Sequence, residues 1–334
     1  MKTIKIKYCD FWKHWNENDN FIINALRKKY NVEICDDPDY IFFSNFNEDF
    51  QHMDYNDCVK IFYTQENIVP DFNYADYGIG YDNIFFEDRY FRFPIYLIPE
   101  RYGKSWDLMK KKHLIENENK MLEREFCSFV VSNGNADEIR KQAFECLCTY
   151  KKVNSGGKYL NNIGYEDGVL DKLDFSRKHK FSLCFENTAH RGYTTEKIVE
   201  AFAAQTIPIY WGNPEITTLF NAKAFINVSD CRNVEEILER VKEIDNDDLK
   251  YMEMLKSPAL NPDISETYWE DMQNDFYNFL DSIFSQKKED AYRRNMKFWG
   301  DEYHLRYYRM RNVFVKSKNS LIKKLKSFYA KIRN

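Results

Sequence analysis

The chain has 334 residues, of which 43% are hydrophobic, 17% aromatic and 31% charged, and its formal net charge is −4. That length suits two domains of roughly 150 residues, and so high an apolar fraction excludes disorder along the whole chain. No stretch approaches the ~18 uninterrupted apolar residues of a membrane span, and the opening MKTIKIKYCDFWKHW lacks the apolar centre of a signal peptide.

Taken in order, short apolar runs predict strands at Thr3–Tyr8, Val32–Cys35, Tyr40–Ser44, Val59–Thr64 and Tyr77–Tyr81, with an amphipathic helix at Phe21–Tyr30. The Lys-, Glu- and Asn-rich stretch from Lys104 to Lys120 reads as a connector. A second set follows: strand Ser128–Ser132, helix Ala136–Cys148, strand Phe181–Phe185, helix Thr195–Ala204, strand Ile207–Trp211 and a helix from about Glu215. Helical patterns at Val234–Leu255 and Tyr268–Phe284 complete the body. Strands alternating with helices predict an α/β chain of two domains with a cleft between them, divided at 1–115 and 116–300, with a tail at 301–334.

The tail carries most of the charge asymmetry. From Tyr303 to Asn334 there are ten Lys and Arg and no acidic residue; this +10 segment in a chain of −4 leaves −14 on residues 1–302. Leu321, Ile322, Leu325, Phe328, Tyr329 and Ile332 recur there at helical spacing among lysines, the pattern of a helix lying on an anionic membrane surface. The competing reading packs the same stripe on the body. Of eight cysteines only Cys146 and Cys148 are close together, which is poor zinc spacing, so the thiols read as reduced core residues of a cytoplasmic protein.

The segment FENTAHRGYTTEKIVEAFAAQTIPIYWGNPEI, residues 185–216, concentrates polar groups where a buried strand ends. FSLCF and IPIYW read as neighbouring parallel strands, and ligands of open α/β sheets bind beyond the carboxyl ends of such strands. Arg191, Lys197 and a helix capped by Thr194 or Thr195 suit a diphosphate, and Glu196 can accept hydrogen bonds from sugar hydroxyls. Singly, each has an ordinary reading: Glu196 favours a helix start, and Asn187 caps a turn.

The same segment resembles the donor-binding signature of the α1,3/4-fucosyltransferase family, with its F-x-L-C-F-E-N, G-Y-x-T-E-K-I and I-P-I-Y-W-G elements. Residues 61–94, IFYTQENIVPDFNYADYGIGYDNIFFEDRYFRFP, are similar to a second family segment, and SFVVSNGNADEIRKQAFECL with the Gly-Gly of VNSGGKY to a third. The resemblance implies a GT-B fold, two Rossmann-like domains facing a cleft with a C-terminal amphipathic helical tail. It implies inverting transfer of fucose from GDP-fucose to a β-galactoside oligosaccharide acceptor. The expected product is an α1,3 linkage to the N-acetylglucosamine of N-acetyllactosamine-type glycans on lipopolysaccharide; α1,4 or mixed linkage, or another nucleotide-sugar donor, is the alternative.

By motif, Glu66 matches the catalytic base and Arg140 the diphosphate-binding arginine. Asn187, Tyr193, Glu196 and Lys197 match donor-site residues, with Arg191 and Glu186 as further candidates. The resemblance implies no tightly bound cofactor and no divalent metal for catalysis. It also implies a peripheral position on the inner face of the cytoplasmic membrane, held through residues 303–334. Three rivals compete. A metal-dependent GT-A enzyme would use Asp37-Pro38-Asp39 or Asp245-Asn246-Asp247, short matches expected by chance among 53 acidic residues. A nucleic-acid-binding protein would need a reader motif that the chain lacks. A carbohydrate-binding module would not need both a diphosphate seat and Glu66.

Overall fold

The structure, a computed structural model, describes residues 1–47 and 49–332; beyond residue 313 it describes only the side chains of Ser317, Ser320 and Leu321. The chain divides into two compact units that are not consecutive in sequence. Unit 1 is Met1–Gly80, Ile84–Arg92 and Asn274–Asn334, and unit 2 is Tyr81–Asn83 and Phe93–Gln273.

Unit 1 contains β1 (Thr3–Cys9), β2 (Asn31–Ile34), β3 (Tyr40–Phe43), β4 (Val59–Tyr63), β5 (Tyr77–Gly80) and β6 (Tyr90–Arg92). They form one parallel sheet in the order β2-β1-β3-β4-β5-β6. β3 and β4 are buried at every position, which is why YIFF and VKIFY run apolar without alternation. α1 (Phe21–Arg27) joins β1 to β2 and starts where the Asn20 side chain accepts the N–H groups of Ile22 and Ile23. Because β2 and β3 flank β1 on opposite sides, the sheet has a topological switch point at the carboxyl ends of β1 and β3.

Unit 2 runs α2 (Pro99–Lys110), α3 (Glu118–Leu122), β7 (Glu125–Phe129), α4 (Ile139–Cys148), β8 (Val153–Ser155), α5 (Lys172–Ser176), β9 (His179–Phe185), α6 (Lys197–Ala203), β10 (Ile207–Trp211), β11 (Ile226–Asn227), α7 (Val234–Asp245) and α8 (Asp248–Lys256). Its parallel sheet has the order β11-β10-β9-β7-β8. The same 2-1-3-4-5 sequence of strands therefore occurs in both units, and in unit 2 the switch point lies between β7 and β9. All seven residues of β9 are buried.

α9 (Tyr268–Ser285) begins in unit 2 and from Asn274 belongs to unit 1, followed by α10 (Lys288–Ala291) and α11 (Trp299–Ile332). Phe276, Phe279 and Phe284 pack on Phe21, Phe91 and Tyr40 at ring distances of 5.5, 5.4 and 4.6 Å. The returning chain is then clasped. The Asp76 carboxylate accepts the backbone N–H groups of Lys60, Arg293 and Arg294 at 2.8, 2.8 and 2.9 Å. The buried Arg294 guanidinium donates to the carbonyls of Cys58, Asn56 and Tyr74. The first turns of α11 dock on the same unit. Tyr303 donates to Asp71 at 2.8 Å, His304 stacks on Tyr74 at 4.7 Å, and Arg311 grips Asp54 with two bonds of 2.6 and 2.8 Å.

Several expectations change. The predicted connector at 104–120 is largely α2, whose Tyr102, Trp106 and Met109 are buried at helical spacing beneath a charged outer face. In place of a helix from Glu215 there is a single 3-10 turn, Ile216–Thr218. Val234–Leu255 is two helices, because the Asp247 side chain caps a new start by accepting the N–H groups of Leu249 and Lys250. The domain limits at 115 and 300 differ from the units, since 93–115 fall in unit 2 and 274–300 in unit 1. The tail is helical through Ile332, but the side chains of Ile322, Leu325, Phe328, Tyr329 and Ile332 lie outside the described residues.

Candidate active site

The carboxyl end of β9 collects the predicted donor residues inside unit 2. Glu186 follows the strand and is fully buried. Its carboxylate accepts the Thr195 N–H and hydroxyl, both at 2.7 Å, and Lys197 Nζ at 2.9 Å. Gly212, the first residue after β10, leaves room for it, because a Cβ there would lie 2.4 Å from Glu186 Cγ. Thr195 thus spends its hydroxyl on Glu186 and Thr194 accepts from Asn213, so neither caps α6, which starts at Lys197 instead of Thr195.

Lys197 also donates to the Thr195 hydroxyl at 2.9 Å, so of its three N–H groups one remains for a ligand. Burial lowers its pKa, but Glu186 and Glu196 outweigh that and raise it, so the ammonium stays charged. Arg140, on the first turn of α4, is 1% exposed. Its guanidinium donates to the Asn133 carbonyl at 3.3 Å, the Phe185 carbonyl at 3.0 Å and the Asn187 side-chain oxygen at 2.6 Å. The buried Nε is left without a protein partner, a donor available to an anion. Arg140 is therefore both a brace for Asn187 and a cation of the site.

Glu196 carries the next charge. Burial alone would raise its carboxyl, but Lys197, Lys172, its own backbone N–H and Arg101 hold it down at about 2. Tyr193 is 2% exposed and packs edge-on to Tyr81 at 5.1 Å. The loop between them turns at Gly192, with φ of +81° and a Tyr81 carbonyl 2.4 Å from where a Cβ would stand. Arg191 is not drawn into the cluster: its side chain is 78% exposed, with Nε 3.5 Å from Glu215. The structure thus gathers Arg140, Asn187, Glu186, Glu196 and Lys197, sets Tyr193 in the wall and leaves Arg191 outside. The sequence reading missed Lys172, which lies 2.5 Å from Glu200 and 3.9 Å from Glu196. It sits in a polar stretch upstream of β9, and only the capping Asp171 before it signals a helix start.

In unit 1, Glu66 stands just past β4, in the same row of strand ends as the switch point. Its backbone N–H is held by the Thr64 hydroxyl at 3.0 Å, and Thr64 donates to Asn45 at 2.6 Å. Beside it, the loop after β1 brings Phe11 within 6.2 Å of the Tyr63 ring, and Trp12 within 5.2 Å of Phe46. At this edge Trp15 Nε1 and Ser44 Oγ are buried without a hydrogen-bond partner. This aromatic loop had no interpretation from sequence.

The Asp-x-Asp matches are committed elsewhere. Asp245 is paired with Lys151 at 2.5 Å and Lys180 at 3.2 Å, and Asp39 with Lys288 at 3.2 Å. Among the described residues no group of three His, Cys, Asp or Glu is placed to hold a metal ion, and no helix is long and apolar enough to cross a membrane.

Comparisons with known proteins agree along the chain. A family model for the α-(1,3)-fucosyltransferase FucT N-terminal domain matches residues 6–99, and one for the C-terminal part of glycosyltransferase family 10 (fucosyltransferase) matches 120–310. The α-(1,3)-fucosyltransferase FucT of Helicobacter pylori is 33% identical over 292 residues, covering 77% of this chain and 60% of the relative, so the chain spans under two thirds of that protein's length. A putative fucosyltransferase of Acanthamoeba polyphaga mimivirus is 32% identical over 151 residues, 42% of this chain and 25% of its own. Among solved structures, an α1,3-fucosyltransferase with GDP matches at 29% identity and a TM-score of 0.71, covering 86% of this chain and 91% of the other. An α1,3-fucosyltransferase with GDP-fucose matches at 30% and 0.68, covering 84% and 91%. The two Rossmann-like sheets, the clustered residues beyond β9 and both family models lead to one assignment: the chain belongs to glycosyltransferase family 10, the fucosyltransferases.

Proposed function

We propose that the protein transfers fucose from GDP-fucose to the N-acetylglucosamine of an N-acetyllactosamine-type acceptor, forming an α1,3 linkage with inversion. The observation that carries this reading is the cluster beyond β9. Arg140 Nε and one Lys197 N–H are unspent donors beside two fixed carboxylates, in a chain similar to α1,3-fucosyltransferases solved with GDP and GDP-fucose. In the reaction, Glu66 takes the proton of the acceptor hydroxyl as its oxygen bonds to the anomeric carbon. The bond from that carbon to the diphosphate oxygen breaks, and GDP leaves with the electron pair. Arg140 and Lys197 stabilise the charge that develops on the leaving oxygen, while Glu196 and Asn187 hold the nucleoside end. The acceptor belongs to unit 1, where aromatic faces at Phe11 and Trp12 suit the apolar faces of pyranose rings.

The tail belongs to the same proposal. Met310, Val313 and Leu321 are exposed among basic residues of α11, which supports an anionic bilayer as its partner, with the enzyme on the cytoplasmic face building lipopolysaccharide glycans. The test of the reaction is incubation of purified protein with GDP-fucose and type 1 and type 2 disaccharide acceptors, followed by linkage analysis. The expected result is GDP release with an α1,3-fucosylated type 2 trisaccharide. An α1,4 product would replace the linkage, and folded, GDP-binding protein that fucosylates no β-galactoside would overturn the reading.

A further inference from the structure

Lys172 lies outside every motif that identifies the donor site, yet it is wired into that site. α5, which it begins, packs on α6 and β9. Its Nζ is 2.5 Å from Glu200 Oε2, in the first turn of α6, and 3.9 Å from Glu196 Oε1, at the N-cap of the same helix. Lys197 pairs with Glu186 at 2.9 Å and acts on Glu196 through its charge. The result is a row of two groups, Glu186–Lys197 and Glu196–Lys172–Glu200, joined by the attraction between Lys197 and Glu196. Arg140 beside Glu186 and Arg101 near Glu196 add further positive charge around the row.

We propose that Lys172 is a positioning residue of the donor site, which holds the Glu196 carboxylate in place and adds a positive charge to the row that a nucleoside diphosphate meets. This rests on the donor-site reading above. Two physical effects make the residue matter. Without the ammonium, Glu196 and Glu200, one helical turn apart on α6, repel each other with no cation between them, and Glu196 is free to swing away. The row also loses a positive charge beside a site that must receive an anion, in a partly buried setting where screening is weak. Burial lowers the Lys172 pKa, but Glu200 and Glu196 raise it against Lys197, so the cation persists at working pH. Lys172 does not bind the donor directly through the space beneath it. The cavity bounded by Ser128, Ser182, Lys172, Lys197 and Glu200 measures only about 20 Å³, room for about one water.

The test is GDP titration by calorimetry on the full chain carrying Lys172→Met, Lys172→Arg, Glu196→Gln, and Lys172→Met with Glu196→Gln. Lys172→Met is expected to weaken GDP about tenfold, the scale of one lost charge-assisted contact, and Lys172→Arg to restore binding to within about twofold of the parent. In the double variant the Lys172→Met effect should shrink sharply, because the carboxylate it acts through is gone. A purely structural role predicts a lower Tm in Lys172→Met with GDP affinity unchanged, and that overturns the proposal, as does full additivity in the double variant. Unchanged GDP affinity in Glu196→Gln would instead remove the donor-site reading of Glu196 itself, so the two failures are distinguishable.

Discussion

Glu186 shows how a residue can look incidental in a sequence and be central in a site. Within F-E-N it is one glutamate after an apolar run, but it is the most deeply buried carboxylate of the donor cluster and fixes Thr195 and Lys197 at once. Removing only its cation therefore has two consequences. Lys197→Met should weaken GDP and also lower Tm, because an uncompensated buried carboxylate costs about 3–5 kcal/mol. Adding Glu186→Gln should recover much of the Tm in thermal unfolding without recovering GDP affinity; no recovery would mean the pair does not share one charge balance. Glu66 is expected to separate binding from chemistry: Glu66→Gln should leave GDP affinity unchanged and lower kcat by roughly 10²-fold or more in steady-state assays. A near-normal kcat would assign the base to another carboxylate. The clustering of Arg140, Asn187, Glu196 and Lys197 was legible because they lie in contiguous motifs. Lys172 was not, because its partners Glu196 and Glu200 come from a helix that begins two dozen residues later and only folding brings them together.

At the scale of elements, the long buried strands were legible and the short ones were not. β3, β4 and β9 announce themselves as apolar runs, whereas β6, β8 and β11 have three, three and two residues and carry no periodicity to read. α2 was hidden by its outer face of Lys, Glu and Arg. Just past its end, Lys112 is fully buried and donates to the Leu255 carbonyl at 2.8 Å, and burial pushes its pKa down to about 7. The unfolded chain holds that proton up to about 10.4, so between those values it binds more protons than the folded chain. Stability should therefore rise as pH goes from about 7 towards 10, contrary to the loss expected for a lysine stabilised by an ion pair. Denaturant unfolding at pH 7 and 9.5 should show this rise, reduced in Lys112→Met; an equal slope in both proteins would mean the ammonium is solvated in the native state.

For the whole molecule, composition and strand count were enough to indicate two α/β units, but a linear division into domains missed that unit 1 is closed by residues after Asn274. The tail also divides. Its first turns dock through Tyr303, His304 and Arg311, while both the membrane reading and the packed reading concern the stripe beyond, whose side chains past Leu321 lie outside the described residues. A chain ending at Ser317 should keep its Tm and its activity on soluble acceptors but lose binding to anionic liposomes in flotation assays. Ending the chain at Gly300 should in addition lower Tm, since it removes the Arg311–Asp54 and Tyr303–Asp71 contacts. Liposome binding undiminished by the shorter cut would end the membrane proposal.

The Asp76 clasp around Arg293 and Arg294 also sets an order in time. On the ribosome, the strands of unit 1 emerge first but cannot close until residues 274–294 follow them. At about 5–20 residues per second, the roughly 200 residues of intervening chain take about 10–40 s to make. During that interval unit 2 can complete its sheet, while YIFF waits without Phe284, which packs on Tyr40 and Phe42. The half synthesised first is then the half that finishes last, and the nascent chain must be shielded at its N-terminal strands until its C-terminal segment returns.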